Sequence, residues 1–241
     1  MEEARILVAG DSAVVVEFGN EISPEINGKV KRFYSVLKKR NVTGVVDLIP
    51  TYRSVMIHYN SRQLFFFEME AIIKDALQES GSLEDVPSRT FKIPVCYGGE
   101  YGPDIQDVAN HNHLTVEEVI DIHCAKPYLI YMLGFLPGFA YLGGMDERLV
   151  TPRLTQPRTK IPAGSVGIGG ESTGIYPLES PAGWRLIGTT PIKPYDPHRE
   201  VPIIYEAGDY IQFVPITPHE FKAISEQVKA GTYKVEVSDG I

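Results

Sequence analysis

The first part of the chain alternates short apolar runs with amphipathic stretches. Runs typical of β-strands lie at residues 5–10, 13–19, 42–50 and 54–60. Behind Ser23-Pro24, apolar residues recur at helical spacing, and serine followed by proline is a favourable helix start. A second helical pattern covers residues 67–79. These elements predict a small α/β domain over residues 1–87.

The pattern changes in the second part of the chain. Asp104 and Thr115 are placed to cap two short helices, and Thr115 with Glu118 forms a capping box. After residue 127, short β-like runs are interrupted by glycine and proline, as in barrels and sandwiches. We therefore predict an α+β chain with a β-barrel over residues 88–241. The polar segment 81–90 is the expected linker.

Composition and charge exclude several classes of protein. The net charge of −8 disfavours nucleic acid and anionic membranes as partners, because both require clustered lysine and arginine. Two cysteines are too few for a disulfide framework. The start of the chain lacks the pattern of a signal peptide, and no apolar run approaches the ~20 residues of a membrane span. These features predict a cytoplasmic protein.

Two motifs that suggest cofactor sites are better explained structurally. The glycine-rich run 164–170 lacks the Lys-Ser/Thr ending of a phosphate loop and is not followed by a helical pattern. Its glycines are therefore expected at bulges of a curved sheet, and no ATP site is assigned to this chain. His111 and His113 lie between two predicted helices, and no second ligand cluster has recognisable spacing. We therefore predict no metal site.

The segment 123–192 has the strongest indication of function. Glycine and proline at this density specify a bent, rigid backbone. The segment also contains several aromatic residues and separated cations, among them Arg153, Arg158, Lys160 and Arg185. Arginines on a rigid backbone are preorganised to bind carboxylates. The residues alone predict an aromatic, partly cationic pocket or groove for a small acidic ligand or a partner chain.

The motifs of this segment closely resemble the allophanate hydrolase subunit 1 family. They read GFLPGFAYLGG (134–144), TPR, QPRTKIPAGSVGIGG and STGIYPLESPAGWRLIGTTP. The resemblance extends over nearly the whole chain, including GDSAVVVEFG and PTYRSVMIHY. One departure is Ser172, where the family often has glutamine. Serine has a shorter reach than a glutamine amide, so the ligand contact at this position is expected to differ.

The resemblance implies a small α/β N-terminal domain and a cyclophilin-like β-barrel. It also implies a component of an ATP-dependent 5-oxoprolinase complex that opens 5-oxo-L-proline to L-glutamate. The implied partners are a KipA-like protein (allophanate hydrolase subunit 2) and a third protein, with ATP as a co-substrate of the assembled complex. Two alternatives stay open at this point. One is a KipI-like inhibitor that binds the dimerisation helices of a sporulation histidine kinase, and the other is a component of an allophanate hydrolase or urea carboxylase system.

Lactam opening needs a group that holds the substrate carboxylate and donors for the developing negative charge. The candidate catalytic residues are His123 as general acid–base, Arg158 and Ser165. The candidate substrate-binding residues are Arg153, Lys160, Gly167, Gly169, Thr173 and Tyr176. Aromatic patches often anchor interfaces, so Phe135, Phe139 and Tyr141 are expected to contact a partner protein.

Overall fold

A computed structural model describes residues 4–83 and 87–239. The chain divides into two compact units, Met1–Pro87 and Ser88–Ile241. Across the described residues, no helix is long and apolar enough to cross a membrane.

The N-terminal unit is a four-stranded antiparallel sheet with two helices. Its elements are β1 (Arg5–Val8), β2 (Ala13–Glu17), α1 (Pro24–Arg40), β3 (Val45–Pro50), β4 (Ser54–Tyr59) and α2 (Phe66–Gly81). The strands lie in the order β1-β2-β4-β3. The predicted start of α1 is confirmed, because the Ser23 side chain accepts a hydrogen bond from the Ile26 N–H at 3.2 Å. Alternate residues of β2 and β4 pack with apolar residues of both helices to form the core of this unit.

The C-terminal unit contains the remaining strands and three helices. Its elements are β5 (Arg89–Tyr97), α3 (Ile105–Asn112), α4 (Val116–Cys124), β6 (Tyr128–Leu133), β7 (Ala140–Gly143), β8 (Arg158–Ile161), β9 (Ser165–Gly169), β10 (Ser172–Ile175), β11 (Ser180–Ala182), β12 (Arg185–Thr189), β13 (Tyr210–Pro215), α5 (Pro218–Lys229) and β14 (Glu236–Asp239). A short 3₁₀ turn covers Glu147–Leu149.

Seven of these strands form a closed barrel. Their order is β12-β9-β10-β7-β6-β13-β5, and β12 pairs again with β5 through Gly188 and Thr189. The long strand β5 pairs with β13 along one edge. On its other edge, the beginning of β5 pairs with β14 and its end pairs with β12, which closes the barrel. Strands β8 and β11 form a separate two-stranded sheet. The predicted α+β class, with a small N-terminal unit and a C-terminal barrel, is confirmed.

Both helices predicted in this unit are present, as α3 and α4, but only one of them is capped by the expected side chain. The capping box of Thr115 and Glu118 is present at the start of α4. Asp104 precedes α3, but its side chain makes no capping hydrogen bond and is used elsewhere. Helix α5 was not predicted, although Thr217 and Glu220 form a capping box that would have indicated it.

Candidate ligand-binding pocket

The two faces of the barrel strands form two different apolar layers. In β9 and β10, Val166, Ile168 and Ile175 face the barrel core, while the alternate residues face outward. Strand β7 follows the same rule, with Ala140 and Leu142 inside. The outward face of these strands lies against a second cluster, which comprises Phe139, Ile161, Tyr176, Ala182, Trp184 and Leu186, with Leu136 and Tyr141 packed against it. The barrel wall thus carries an aromatic layer on its outer side.

Trp184 is the centre of this outer layer, and the glycines of the motif make room for it. A Cβ atom on Gly169 would lie 2.3 Å from the indole, and one on Gly174 would lie 3.3 Å from it. A Cβ on Gly167 would be 3.1 Å from the Arg185 carbonyl oxygen. These glycines therefore serve close packing of an aromatic ring on a strand. In the structure this run forms β9 with a positive-φ glycine at each end, and the register shift beside it lies between Leu186 and Gly188 of β12.

An open pocket of about 230 Å³ lies in this aromatic layer. Its rings meet edge to face: Phe139 contacts Tyr141, Tyr176 and Trp184 with centroids 5.1–5.7 Å apart. This geometry is the favourable one for aromatic pairs. The lining residues are Phe135, Phe139, Tyr141, Arg153, Pro157, Tyr176, Pro181, Ala182, Gly183 and Trp184.

Two polar groups of the pocket are available to a ligand. The Arg153 guanidinium lies over the Trp184 ring, 5.8 Å from its centroid, and makes no ion pair with any residue that the structure describes. The Tyr176 hydroxyl has no hydrogen-bond partner within the described part of the chain. Burial raises the pKa of Tyr176 to about 12, although Arg153 acts in the opposite direction. Tyr176 is therefore a neutral donor near a cation, an arrangement suited to a carboxylate.

Phe135 stands at the mouth of the pocket in an unusual conformation. Its φ of +63° is rare for a residue with a bulky side chain. A hydrogen bond from the Leu136 N–H to the Gly134 carbonyl oxygen, 2.7 Å long, closes a three-residue turn around it. The ring is 65% exposed and meets Phe139 edge to face at 5.6 Å. Backbone strain of this kind costs about 1–3 kcal/mol and is concentrated at functional sites.

The other three candidate cations, Arg158, Lys160 and Arg185, are paired within the chain. Arg158 donates two hydrogen bonds to the Asp104 carboxylate, at 2.9 and 2.7 Å. The same buried carboxylate accepts the Leu186 N–H at 2.7 Å, so it ties β8, α3 and β12 together. Lys160 pairs with Glu179, and Arg185 pairs with Asp107. Of the four predicted anion-binding side chains, only Arg153 is left with its guanidinium open to a ligand, judged over residues 4–83 and 87–239.

His123 lies at the end of α4 and is completely buried. Thr173 Oγ1 donates to the Gly167 carbonyl oxygen at 3.1 Å, so it accepts from His123 Nε2 at 2.8 Å. His123 Nδ1 then accepts from the Tyr97 hydroxyl at 2.7 Å. Phe213 stacks on the imidazole with centroids 4.5 Å apart. Burial lowers the pKa of His123 to about 3, so the ring is neutral at physiological pH.

The predicted site residues therefore separate into groups. Arg153, Tyr176, Phe135, Phe139 and Tyr141 line one pocket. Gly167 and Gly169 lie behind Trp184, and the absence of side chains there makes room for the indole. The others do not line the pocket: Arg158 and Lys160 are in ion pairs, His123 and Thr173 bond to each other on the core side, and the buried Ser165 donates to the Pro162 carbonyl oxygen at 2.8 Å.

Sequence reasoning did not identify Trp184 or Asp104 as important to this region. Trp184 could have been found, since it is the single tryptophan of the chain and lies in a glycine-flanked family motif. The role of Asp104 could not, because its partner Arg158 is 54 positions away in sequence.

A larger cleft of about 760 Å³ lies in the N-terminal unit. Its lining mixes apolar residues with three cations, of which Lys29 and Lys74 are paired with Glu25 and Glu70. Size alone does not indicate a site, because a ligand pocket also needs polar groups directed into it. The smaller pocket combines a wall of aromatic rings with the polar groups of Arg153 and Tyr176 and is the stronger candidate.

Comparison with known proteins agrees with the motifs. The carboxyltransferase domain family, subdomain C and D, matches residues 4–205. The B subunit of 5-oxoprolinase from Bacillus subtilis (strain 168) is 40% identical over 228 residues, covering 90% of this chain and 95% of that protein. Its counterpart from Escherichia coli O157:H7, also a 5-oxoprolinase B subunit, is 39% identical over 215 residues, covering 89% and 97%.

A solved structure supports the fold but belongs to a much longer chain. The crystal structure of TTHA0988 is 33% identical with a TM-score of 0.76, and the match covers 85% of this chain. This chain spans only 40% of the TTHA0988 chain. The resemblance recognised in the sequence is confirmed: the chain belongs to the family of carboxyltransferase domains, subdomain C and D, and is a homologue of the 5-oxoprolinase B subunit.

Proposed function

We propose that this chain is the B subunit of an ATP-dependent 5-oxoprolinase, which opens 5-oxo-L-proline to L-glutamate. The proposal draws on relatives that carry this name and match almost end to end. In it, the enzyme is completed by a KipA-like protein and a third protein, and the assembled complex consumes ATP. No ATP-binding role is assigned to this chain.

The pocket around Trp184 is the proposed substrate-binding site of this chain. The observation that carries it is the open guanidinium of Arg153, held over the indole at a pocket of about 230 Å³. A small lactam with a carboxylate fits such a site in its chemistry, since aromatic rings pack against the lactam ring and the guanidinium pairs with the carboxylate. The neutral Tyr176 hydroxyl supplies a further donor.

The proposed roles of the remaining residues follow from their contacts. Arg158 positions β8 beside the pocket through its ion pair with Asp104. His123 bonds to Thr173 of β10, the strand whose outward-facing Gly174 lies against Trp184. Both act at a distance from the ligand, so they are positioning residues in this proposal rather than groups that contact the substrate. Because both are held by buried hydrogen bonds, their replacement is expected to change stability together with activity.

The test is turnover by the purified three-protein complex, measured as release of L-glutamate and of ADP with 5-oxo-L-proline, urea or allophanate as substrate. We expect turnover with 5-oxo-L-proline alone. Arg153→Ala should raise the KM about 10–100-fold, since hydrogen bonds between charged groups contribute about 1.5–3 kcal/mol. Arg153→Lys should restore part of the affinity.

Arg148→Ala is the matched control. Arg148 is an exposed arginine of the same unit whose partner is Asp146, and it does not line the pocket. Its replacement should leave the KM unchanged. Turnover of urea or allophanate in place of 5-oxo-L-proline would contradict the proposed substrate, and an unchanged KM in Arg153→Ala would remove this pocket from the site.

A further inference from the structure

The loop between β6 and β7 is anchored at Gly134, Gly138 and Phe139, whereas Phe135 is exposed. The Gly134 N–H donates to the Phe139 carbonyl oxygen at 3.2 Å and closes the hairpin. The buried Tyr205 hydroxyl donates to the Gly138 carbonyl oxygen at 2.8 Å. The backbone of Gly138 lies so close to Tyr195 that a Cβ atom there would be 2.8 Å from the Tyr195 Cβ. Phe139 is almost completely buried.

Phe135 contributes little to this anchoring. Two thirds of its side chain is exposed, and its ring contact within the described chain is the edge-to-face pair with Phe139. Glycine is the residue that adopts a positive φ without strain, so packing and backbone geometry do not account for phenylalanine at this position. The feature that does account for it is the pocket, because the turn holds the Phe135 ring at the pocket rim.

We propose that Phe135 is a specificity-determining clamp that covers the ring of the ligand while Arg153 binds its carboxylate. This inference rests on the proposed function of the pocket and narrows its ligand class to small carboxylates with a compact ring. The strained turn keeps the Phe135 ring at the pocket mouth before the ligand arrives. Holding the ring in place in advance reduces the conformational entropy that is lost on binding.

The pocket offers the two kinds of contact that such a ligand needs. Trp184, Phe139 and Tyr141 form an aromatic wall, and Phe135 provides a ring on the exposed side. An open-chain amino acid such as L-glutamate has the carboxylate but no ring to place against these faces. We therefore expect discrimination in favour of 5-oxo-L-proline over L-glutamate, the product of the proposed reaction, which would help product release.

The first arm of the test uses the assembled complex. Phe135→Ala should raise the KM for 5-oxo-L-proline about tenfold with kcat little changed, the effect of losing one aromatic contact. Phe135→Tyr should restore a KM near that of the parent protein. The control is Phe67→Ala, which removes an equally exposed phenylalanine from the N-terminal unit.

The second arm separates this inference from the proposed function. Trp184 is the single tryptophan of the chain, so its fluorescence reports the pocket directly. Titration of the purified chain with 5-oxo-L-proline should change this fluorescence, and Phe135→Ala should require about tenfold more ligand. The same titration with 2-pyrrolidinone, which has the lactam ring but no carboxylate, measures the contribution of the carboxylate. Titration with L-glutamate, which has the carboxylate but no ring, measures the contribution of the ring. Turnover by the complex is not needed for this measurement.

The outcomes are distinguishable. A fluorescence response that Phe135→Ala weakens supports the clamp even if the complex turns over no 5-oxo-L-proline, a result that would refute the proposed reaction alone. Equal response and equal KM in parent and Phe135→Ala overturn the clamp. Loss of complex assembly with an unchanged fluorescence titration also overturns it, and would assign Phe135 to an interface with a partner protein instead.

Discussion

Two aromatic clusters share the same barrel wall but differ in how their polar groups are satisfied. On the core side, His123 bonds to Tyr97 and Thr173, and Phe213 covers its ring. On the outer side, Arg153 and Tyr176 lie among rings as hydrophobic as those inside, yet their polar atoms have no hydrogen-bond partner within the described residues. A closed network stabilises the fold, whereas polar groups left open beside an accessible pocket are available for binding.

The difference also separates stability from function. Buried polar groups that lose a partner cost stability, while an exposed side chain that loses a ligand contact does not. Variants on the core side should therefore unfold more easily, and variants on the outer side should bind less tightly. Four measurements test this division, from the largest expected effect to the smallest.

Replacement of His123 by alanine should have the largest effect. The change creates a cavity and removes the hydrogen bonds that His123 makes with the Tyr97 hydroxyl and with Thr173. We expect a loss of about 3 kcal/mol or more in the free energy of unfolding, measured by urea denaturation. A loss below about 1 kcal/mol would show that the core network is not the closed, stabilising one described above.

Replacement of Gly169 by alanine should affect both the stability of the fold and the position of Trp184 in the pocket. The new Cβ would lie 2.3 Å from the Trp184 ring, so the indole must move. We expect a loss of about 1–3 kcal/mol in stability and a shifted Trp184 emission spectrum. Gly81→Ala is the control, because a Cβ there has open space around it. An unshifted emission spectrum in Gly169→Ala would contradict the close contact.

The pH dependence of stability should report the buried imidazole. The folded-state pKa of His123, about 3, lies below its unfolded value of about 6.5, so the unfolded chain binds the extra proton first. The stabilisation is complete above a pH of about 6.5 and is lost as the pH falls towards about 3. Well below a pH of about 6.5, the loss should approach ~1.4 kcal/mol per pH unit.

The variant His123→Gln isolates this effect. Glutamine does not titrate, so the steep part of the profile between about pH 6 and about pH 5 should become shallower by about 1 kcal/mol per pH unit. Urea unfolding of the two proteins at several pH values in this range provides the measurement. Parallel profiles would mean that His123 is protonated in the folded protein.

Replacement of Arg153 by alanine should have the smallest effect on stability. The side chain is exposed and forms no ion pair with the described residues, so the expected change is within about 0.5 kcal/mol. Its effect should instead appear in ligand binding. A stability loss above about 1 kcal/mol would place Arg153 among the structural cations, together with Arg158.

The sequence by itself determined the family and most of the elements. Helix starts such as Ser23-Pro24 and Thr115 are local signals, because the capping side chain lies within three residues of the N–H group that it binds. Glycine and proline marked the strand ends of the barrel, and the segment 123–192 held both the aromatic residues and the arginine that line the pocket. Each of these features depends on neighbours in sequence.

Only the tertiary structure decided which of these residues are open to a ligand. Local sequence gives no reason to separate Arg158 from Arg153 as anion binders. In the structure, Arg158 is paired with Asp104, which is 54 positions away in sequence. His123 is withdrawn from solvent because closure of the barrel brings Thr173, 50 positions later, onto its ring. Pairings between distant elements are set by strand register and packing, which local sequence patterns do not encode.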